Sequence, residues 1–494
     1  MPRLNSNQVD HAPVLGPEGL PDTAVFDAST AAKRQRVVNF AAKRFTDMMF
    51  VTGLSEETAR RHFRLRGMPT PGGLSSQDDD PTHDRAVAEA WAAGHITIAP
   101  DPSRRRVTVT WAGEGSGPPT TGHAMAAPGY GGILLGADPE PGFDPRPLAR
   151  PAAPTAAWPA GDGGTASHPS DPALEAAAAE LLKGSPGLHG VLVCTPGSIM
   201  LERYGAQGAA DRPTPSWSMT KAVTATLIGR LLQEGWLRTV HDPAPAPLWR
   251  DPRAIHRLIT LDHLLRMRSG LGFPARDETG APRLVFENTV VYSDAGDAFE
   301  AAQRALVATI PGSVYRYVNT GINVLGAILR DQIEARGLPY HETVYALLAD
   351  RIGMASYQHS ADRTGNFIAS GSGAAVLRDY ARFGLLYAQD GVWNGERLLP
   401  EAWVDYALTP SHTGSHYAAC FRTNADGTFP SLPRSAAWAS GASDQRVIIL
   451  REHGLVIAVA NETDHPMDLR ALDRLGAAAI AQVTAGGALP RAAQ

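Results

Sequence analysis

The residues Ser218-Met219-Thr220-Lys221 place a hydroxyl and an amine three positions apart, inside PSWSMTKAV (215–223). Lysine is rare in this chain: Lys33, Lys43, Lys183 and Lys221 are the only four among 45 cationic Lys and Arg residues. A guanidinium stays charged in water and in protein, whereas a desolvated ammonium can lose its proton near neutral pH. A position that keeps lysine in an arginine-loaded chain is therefore a candidate for proton chemistry. Downstream, Val223, Leu227, Ile228 and Leu231 recur at helical spacing and predict a helix over 218–234, with Ser218 in its first turn. Side chains three apart on a helix share a face, so Lys221 would reach back to the Ser218 hydroxyl. The helix start adds free N–H groups and a partial positive charge that favour a developing anion. An amine acting as base beside a serine is one way to make that hydroxyl attack a carbonyl. The plainer alternative is a capping serine and an exposed helix lysine. This is the one Ser-x-x-Lys in the chain.

Two further stretches could join that pair. PGSVYRYVNTG (311–321) sets Tyr317-Val318-Asn319 between a Pro-Gly turn and a helical run, where a phenol and an amide could face a cleft. A phenol near a lysine can carry a proton to a leaving group; a tyrosine in a turn can equally be half-buried packing. WASGASDQRVII (438–449) puts the small residues Ala439-Ser440-Gly441 at the entry to a late strand. A backbone N–H there could complete an oxyanion hole with that of Ser218. The alternative is an ordinary strand starting after a loop.

The elements that must position these groups fall in a definite order. Residues 1–25 are polar and Pro/Gly-bearing and read as a loose arm. Residues 26–136 read as a small α+β N-terminal domain: helical signals over 29–64, a hairpin in HITIAPDPSRRRVTVTWAG (95–113) and a strand in GGILLG (131–136). Residues 137–172 are rich in Pro, Ala and Gly and read as a linker or a surface strap. Residues 173–494 read as one larger domain. It opens with an Ala-rich helix (173–183) and a hairpin (189–205) turning at Pro196-Gly197. It ends with a hairpin (445–461) turning near His453-Gly454 and a helix (468–484). Helical sequence lies between, at 218–234, 260–268, 320–336 and 374–388. The fold class expected is α/β (α+β): an antiparallel sheet closed by both ends of the domain, with flanking helices and a helical lobe.

Composition narrows the function classes. With 494 residues, 43% hydrophobic, 19% charged and a formal net charge of -5, the chain can build sizeable cores and has no basic surplus for nucleic acid. No stretch approaches 18 consecutive apolar residues, so no membrane partner is expected. The N-terminus, MPRLNSNQVDHAPVLGPEGL, lacks a charged segment followed by an apolar run, which makes the cytoplasm the expected location. Cys194 and Cys420, far apart, read as buried free thiols. No sequence feature assigns an oligomeric state.

Taken in order, PSWSMTKAVTATLIG, LITLDHLLRMRSGLGF (258–273), PGSVYRYVNTGINVLG, LRDYARFGLLYAQDGVWNGERLLPEAWV (377–404) and WASGASDQ resemble the serine β-lactamase and penicillin-binding-protein superfamily. The nearest likeness is to its class C-like esterase and 6-aminohexanoate-dimer hydrolase branch, over about 173–465. The resemblance implies a β-lactamase/transpeptidase-like fold and a serine hydrolase that forms an acyl-enzyme without metal or cofactor. It implies Ser218 as nucleophile, Lys221 as general base, Tyr317 as the catalytic tyrosine and Asn319 as a substrate-side amide. It implies the N–H groups of Ser218 and Ala442 as oxyanion donors, with Ser440 and Gly441 beside the substrate. Tyr292, in ENTVVYSDAGD (287–297), lies where relatives line the cleft, and Trp438 could wall the pocket or pack in the core. The third motif departs from the family: Ala439 stands where Lys or His is usual, and Gly441-Ala442-Ser443-Asp444-Gln445 stands where Gly-His-x-Gly-Gln is common. The missing cation disfavours β-lactam carboxylates and favours a small neutral ester or amide.

Other chemistries find little support. No Gly-x-Ser-x-Gly surrounds Ser218, His341-Glu342 lacks the second histidine of a zinc helix, and no lysine follows a glycine as in a phosphate loop. Asp262-His263 fits a helix with a structural histidine better than a triad. Three functions stay open: hydrolysis, acyl transfer to an alcohol or amine through the same intermediate, and a non-catalytic binding protein that kept the pocket.

Overall fold

Alternating apolar and polar residues in ITIAPD and RVTVTW produce the first hairpin of the computed structural model, Ile96–Asp101 against Arg106–Trp111. Its turn is tied by Asp101, whose carboxylate accepts from the N–H groups of Ser103 (3.0 Å) and Arg104 (3.2 Å). The structure describes residues 30–63, 81–113, 117–163, 171–251, 254–276, 282–285, 296–411, 416–461 and 465–486. The chain divides into two units, each made of separated stretches. One holds Met1–Leu148, Arg238–Leu338 and His359–Ser370; the other holds Ala149–Leu237, Pro339–Gln358 and Gly371–Gln494.

In the first unit the hairpin continues through strands Thr120–Ala126 and Tyr130–Gly136. Ile96, Ile98, Val107, Val109 and Ala124 point inward against Val37, Val38, Ala41 and Phe45 of the helix Thr30–Thr46. The sheet takes its fifth strand from far along the chain: His359–Ala361 pairs in parallel with Tyr130–Gly136. The segment read as a small α+β domain is thus a helix-covered sheet completed by later sequence. Lys43 is buried there, ion-paired to Asp47 and donating to Ser360 Oγ at 3.0 Å, while Asp47 accepts from Gly132 N at 3.0 Å. The same unit contains helices Leu261–Leu265, Ala298–Gln303 and Thr320–Glu334.

In the second unit six antiparallel strands run in the order Arg422–Thr423, Ala437–Ser440, Arg446–Leu450, Leu455–Asn461, Leu188–Thr195, Ser198–Tyr204. The two hairpins read from sequence meet at the centre, with Val456 opposite Cys194 and Val459 opposite Val191. On one face Val191, Val193, Ile448, Ile457 and Val459 pack with Leu174, Leu181, Leu472 and Leu475 from the helices Pro172–Gly184 and Leu469–Ala485. The fold class is the one expected: antiparallel sheets flanked by helices. Both cysteines are buried free thiols, and burial pushes the Cys194 thiol up.

The strap over 149–163 is pinned to this unit. Arg150 pairs with Asp350 (2.8 Å), donates to the Met354 carbonyl (3.0 Å) and lies over the Tyr345 ring at 4.0 Å. Trp158 Nε1 donates to the Thr195 carbonyl at 3.0 Å. Arg382 holds Pro159 O (2.8 Å) and Asp162 (2.6 Å). Among the described residues no helix is long and apolar enough to cross a membrane.

Candidate active site

Ser218 stands at a strained corner. The strand Thr214–Trp217, paired with Gly373–Ala375, ends on Trp217 at φ +46°, and the chain then turns through Ser218 and Met219 into the helix Thr220–Gln233. A left-handed non-glycine residue costs on the order of 1–3 kcal/mol and persists where its surroundings over-determine it. The helix begins two residues later than Ser218, with Met219 at the N-cap position, so Ser218 precedes the first turn instead of lying in it. The carbonyl of Ser218 accepts from Lys221 N at 3.0 Å, and among the described residues no backbone carbonyl takes the Ser218 N–H. The helix is buried from Thr220 through Leu231. Lys221 is 1% exposed, and its Nζ donates to Ser218 Oγ at 2.9 Å. Burial removes the hydration that favours an ammonium. A hydroxyl held against a buried amine is an arrangement suited to proton abstraction.

The third motif lies beside this corner. Strand Ala437–Ser440 pairs with Arg446–Leu450, and Gly441 N donates to Gln445 O at 2.9 Å. Gly441 sits against the Ser216 carbonyl and the Trp217 Cβ, so that a side chain there would overlap the carbonyl oxygen. This close approach brings the start of the Ala442–Asp444 turn next to the strand Thr214–Trp217 that leads into Ser218. Ser443 (φ 62°) and Asp444 (φ 64°) are left-handed, and Asp444 is held by Arg446 at 3.0 Å and by Met467 N at 3.3 Å. Ala439 is fully buried, its methyl group packed in the interior. Ser440 is half-buried. Trp438 is 4% exposed and packs in the core, edge-on to Phe429 at 5.3 Å. Of its two sequence readings, the structure supports core packing, because alternation along the strand turns it toward the helices Pro172–Gly184 and Leu469–Ala485.

The stretch PGSVYRYVNTG (311–321), with Tyr317 and Asn319, belongs to the first unit. Its loop is fastened by Gly312 N donating to Arg268 O (2.7 Å) and Arg316 N donating to Met267 O (2.8 Å). Tyr317 is half-buried. Asn319 is 3% exposed and occupies the N-cap position of Thr320–Glu334 without capping it through its side chain. Its carbonyl accepts from Asn323 Nδ2 at 3.0 Å, and Asn323 Nδ2 also donates to Ser370 Oγ at 2.8 Å. Tyr292 lies outside the described residues. His263 is structural: its N–H donates to Thr260 Oγ1 (3.2 Å) while its Nδ1 accepts from Thr260 N (3.3 Å), and Asp262 pairs with Arg266 at 2.8 Å.

Sequence reading missed Ser216, Thr220 and Tyr357, which lie buried behind the corner. Ser216 and Thr220 stand two residues either side of Ser218, and only the turn brings their hydroxyls together. A cavity of about 370 Å³ elsewhere, lined by Arg238, Asp242, Trp249, Arg250 and Asp331 among others, contains none of the candidate residues.

Three solved structures give a measure of the likeness. The chain is 21% identical to a provisionally named 6-aminohexanoate-dimer hydrolase from Bacillus anthracis, covering 63% of this chain and 82% of that one with a TM-score of 0.48. It is 20% identical to a penicillin-binding protein homologue from Caulobacter crescentus, covering 64% and 99%, with a TM-score of 0.48. It is 18% identical to a D-stereospecific amidohydrolase from Streptomyces, covering 60% and 97%, with a TM-score of 0.44. No curated protein matches the chain significantly. The Beta-lactamase family model matches residues 174–482, a span that contains Ser218, Lys221, Tyr317 and Gly441 and more than half of the sequence: this chain belongs to the β-lactamase family of serine hydrolases.

Proposed function

We propose that the protein hydrolyses an ester or amide bond of a small neutral molecule through an acyl-enzyme on Ser218. The observation that carries this is the 2.9 Å contact from the buried Lys221 Nζ to Ser218 Oγ. In the reaction, neutral Lys221 takes the Ser218 proton as Oγ forms a bond to the substrate carbonyl carbon. The Ser218 and Ala442 N–H groups stabilise the oxyanion. Tyr317 gives a proton to the leaving alcohol or amine as its bond to the carbonyl carbon breaks. Water then attacks the ester on Ser218 and releases the acid. The buried methyl of Ala439, with no cation at that position, supports a substrate without a carboxylate to be clamped. Asn319, Ser440, Gly441 and Tyr292 are the residues proposed to meet substrate.

A panel of p-nitrophenyl esters, a chromogenic cephalosporin and short amide oligomers tests the substrate class. Turnover of neutral esters or amides, with little on the cephalosporin, is expected. A fluorophosphonate probe should label the wild-type chain and leave Ser218→Ala unlabelled. Tyr317→Phe should slow turnover by roughly a hundred- to ten-thousand-fold, the usual contribution of a general acid. Labelling of Ser218→Ala at the wild-type rate would place the nucleophile elsewhere. Product diverted to an added alcohol or amine acceptor would turn the assignment from hydrolase to acyltransferase.

A further inference from the structure

The corner carrying Ser218 is closed from behind by hydroxyl groups that the reaction itself does not use. Ser216 Oγ and Thr220 Oγ1 lie 2.7 Å apart, joining the last residues of the strand to the first residue of the helix across the turn. Both are shut off from water: Ser216 is 0% and Thr220 1% exposed. Neither caps the helix, whose N-cap is Met219 and has no side-chain cap. An ordinary helix-start role therefore does not explain them. Thr220 Oγ1 also accepts from Gly373 N at 3.1 Å. Gly373 has to be this close: a Cβ on it would stand 2.9 Å from Ser216 Oγ and 2.9 Å from the Tyr357 hydroxyl. Tyr380, from the helix Leu377–Ala388, donates its phenol to the Thr214 carbonyl at 2.7 Å. Hydroxyls buried in this way must be paired, and in a low-dielectric interior their bonds hold geometry firmly.

We propose that Ser216 and Thr220 are positioning residues, a hydroxyl staple that holds Trp217 in its left-handed conformation and so keeps Ser218 Oγ against Lys221 Nζ. The inference rests on Ser218 being the nucleophile. With the staple cut, Trp217 is free to relax to a negative φ, and Ser218 swings away from the amine. A displacement of about 1 Å at a reacting atom can cost on the order of a hundred-fold in rate.

The test compares wild type with Thr220→Val, Thr220→Ser, Ser216→Ala and Gly373→Ala. Fluorophosphonate labelling rates, kcat and KM on a p-nitrophenyl ester, and melting temperature are measured for each. Thr220→Val keeps the shape and removes the hydroxyl; it and Ser216→Ala should slow labelling and kcat by about ten- to a hundred-fold, with KM within about two-fold. Thr220→Ser should restore both rates to within about three-fold of wild type, and Gly373→Ala should behave like Thr220→Val. Wild-type labelling rates in Thr220→Val and Ser216→Ala would overturn the staple. So would a Thr220→Ser variant as slow as Thr220→Val, since the methyl group and not the hydroxyl would then matter. Equal labelling of wild type and Ser218→Ala is a different result: it removes the nucleophile assignment itself and the staple with it.

Discussion

Gly441 and the carbonyl oxygen of Ser216 meet with no room between them for a side chain. That contact joins the third motif to the strand Thr214–Trp217 that leads into Ser218, and it makes position 441 intolerant of even one methyl group. Gly441→Ala should force the two strands apart, at a cost of about 1–3 kcal/mol as for other overpacked sites. The Ala442 N–H should then no longer match the oxyanion. A drop in kcat larger than the rise in KM, read alongside the fall in melting temperature, is the expected pattern. A variant with wild-type kcat would show that the approach is not needed for the reaction.

Lys221 should not be replaceable by arginine. Lys221→Arg retains a cation that cannot act as a base near neutral pH, and turnover should fall by roughly a hundred- to ten-thousand-fold. Lys221→Met, with similar volume and no charge to bury, should lose activity equally while its melting temperature holds or rises. An active Lys221→Met enzyme would remove the amine from the mechanism.

Stability should decline on mild acidification. His123, His263 and His416 are each held below the 6.5 of a free imidazole, chiefly by burial. The unfolded chain takes up protons at these side chains as the pH falls through 6.5, while the folded chain resists until lower pH. The unfolded state thus binds more protons in that window, and the stability present above 6.5 is lost as pH drops through it. Melting temperature followed from pH 7.5 to pH 5.5, a window set around the ordinary histidine value of roughly 6.5, should fall. The fall should be shallower in a variant carrying glutamine at all three positions. An unchanged slope would assign the acid sensitivity to other groups.

Arg382 should be among the costliest charged residues to remove. It is 2% exposed, pairs with Asp379 (4% exposed) at 2.7 Å, and holds both Pro159 O and Asp162. Arg382→Leu leaves the Asp379 carboxylate buried without its partner, which typically costs about 3–5 kcal/mol. Limited proteolysis should also show earlier cleavage within 149–163. Asp162→Asn, at a site 45% exposed, should cost no more than about 1 kcal/mol. Equal effects from the two variants would show that Arg382 does not anchor the strap.

What could be read from residues alone followed from short-range physics. The hairpins at 95–113, 189–205 and 445–461 showed themselves by alternation and turn residues, and all three form. The Ser218–Lys221 contact followed from helical spacing, although the helix starts after Ser218 and the pair spans its entry turn. What escaped notice depends on distant chain. Nothing near His359 announces that it completes a sheet begun at Ile96. The left-handed Trp217 has no sequence signature, because the residue is a bulky aromatic where such a backbone usually has glycine. Trp438 illustrates a related limit: alternation alone says which neighbours share its face, and only the packed helices decide which face is interior.

The late origin of the fifth strand bears on how the protein is made. On the ribosome, the hydrophobic strand Tyr130–Gly136 emerges long before His359–Ala361, and at ordinary translation speeds the interval is on the order of tens of seconds. Throughout it the nascent sheet offers an open edge to any neighbouring chain. Chaperone supply and slowed elongation, more than temperature alone, should therefore govern how much of the polypeptide is recovered intact.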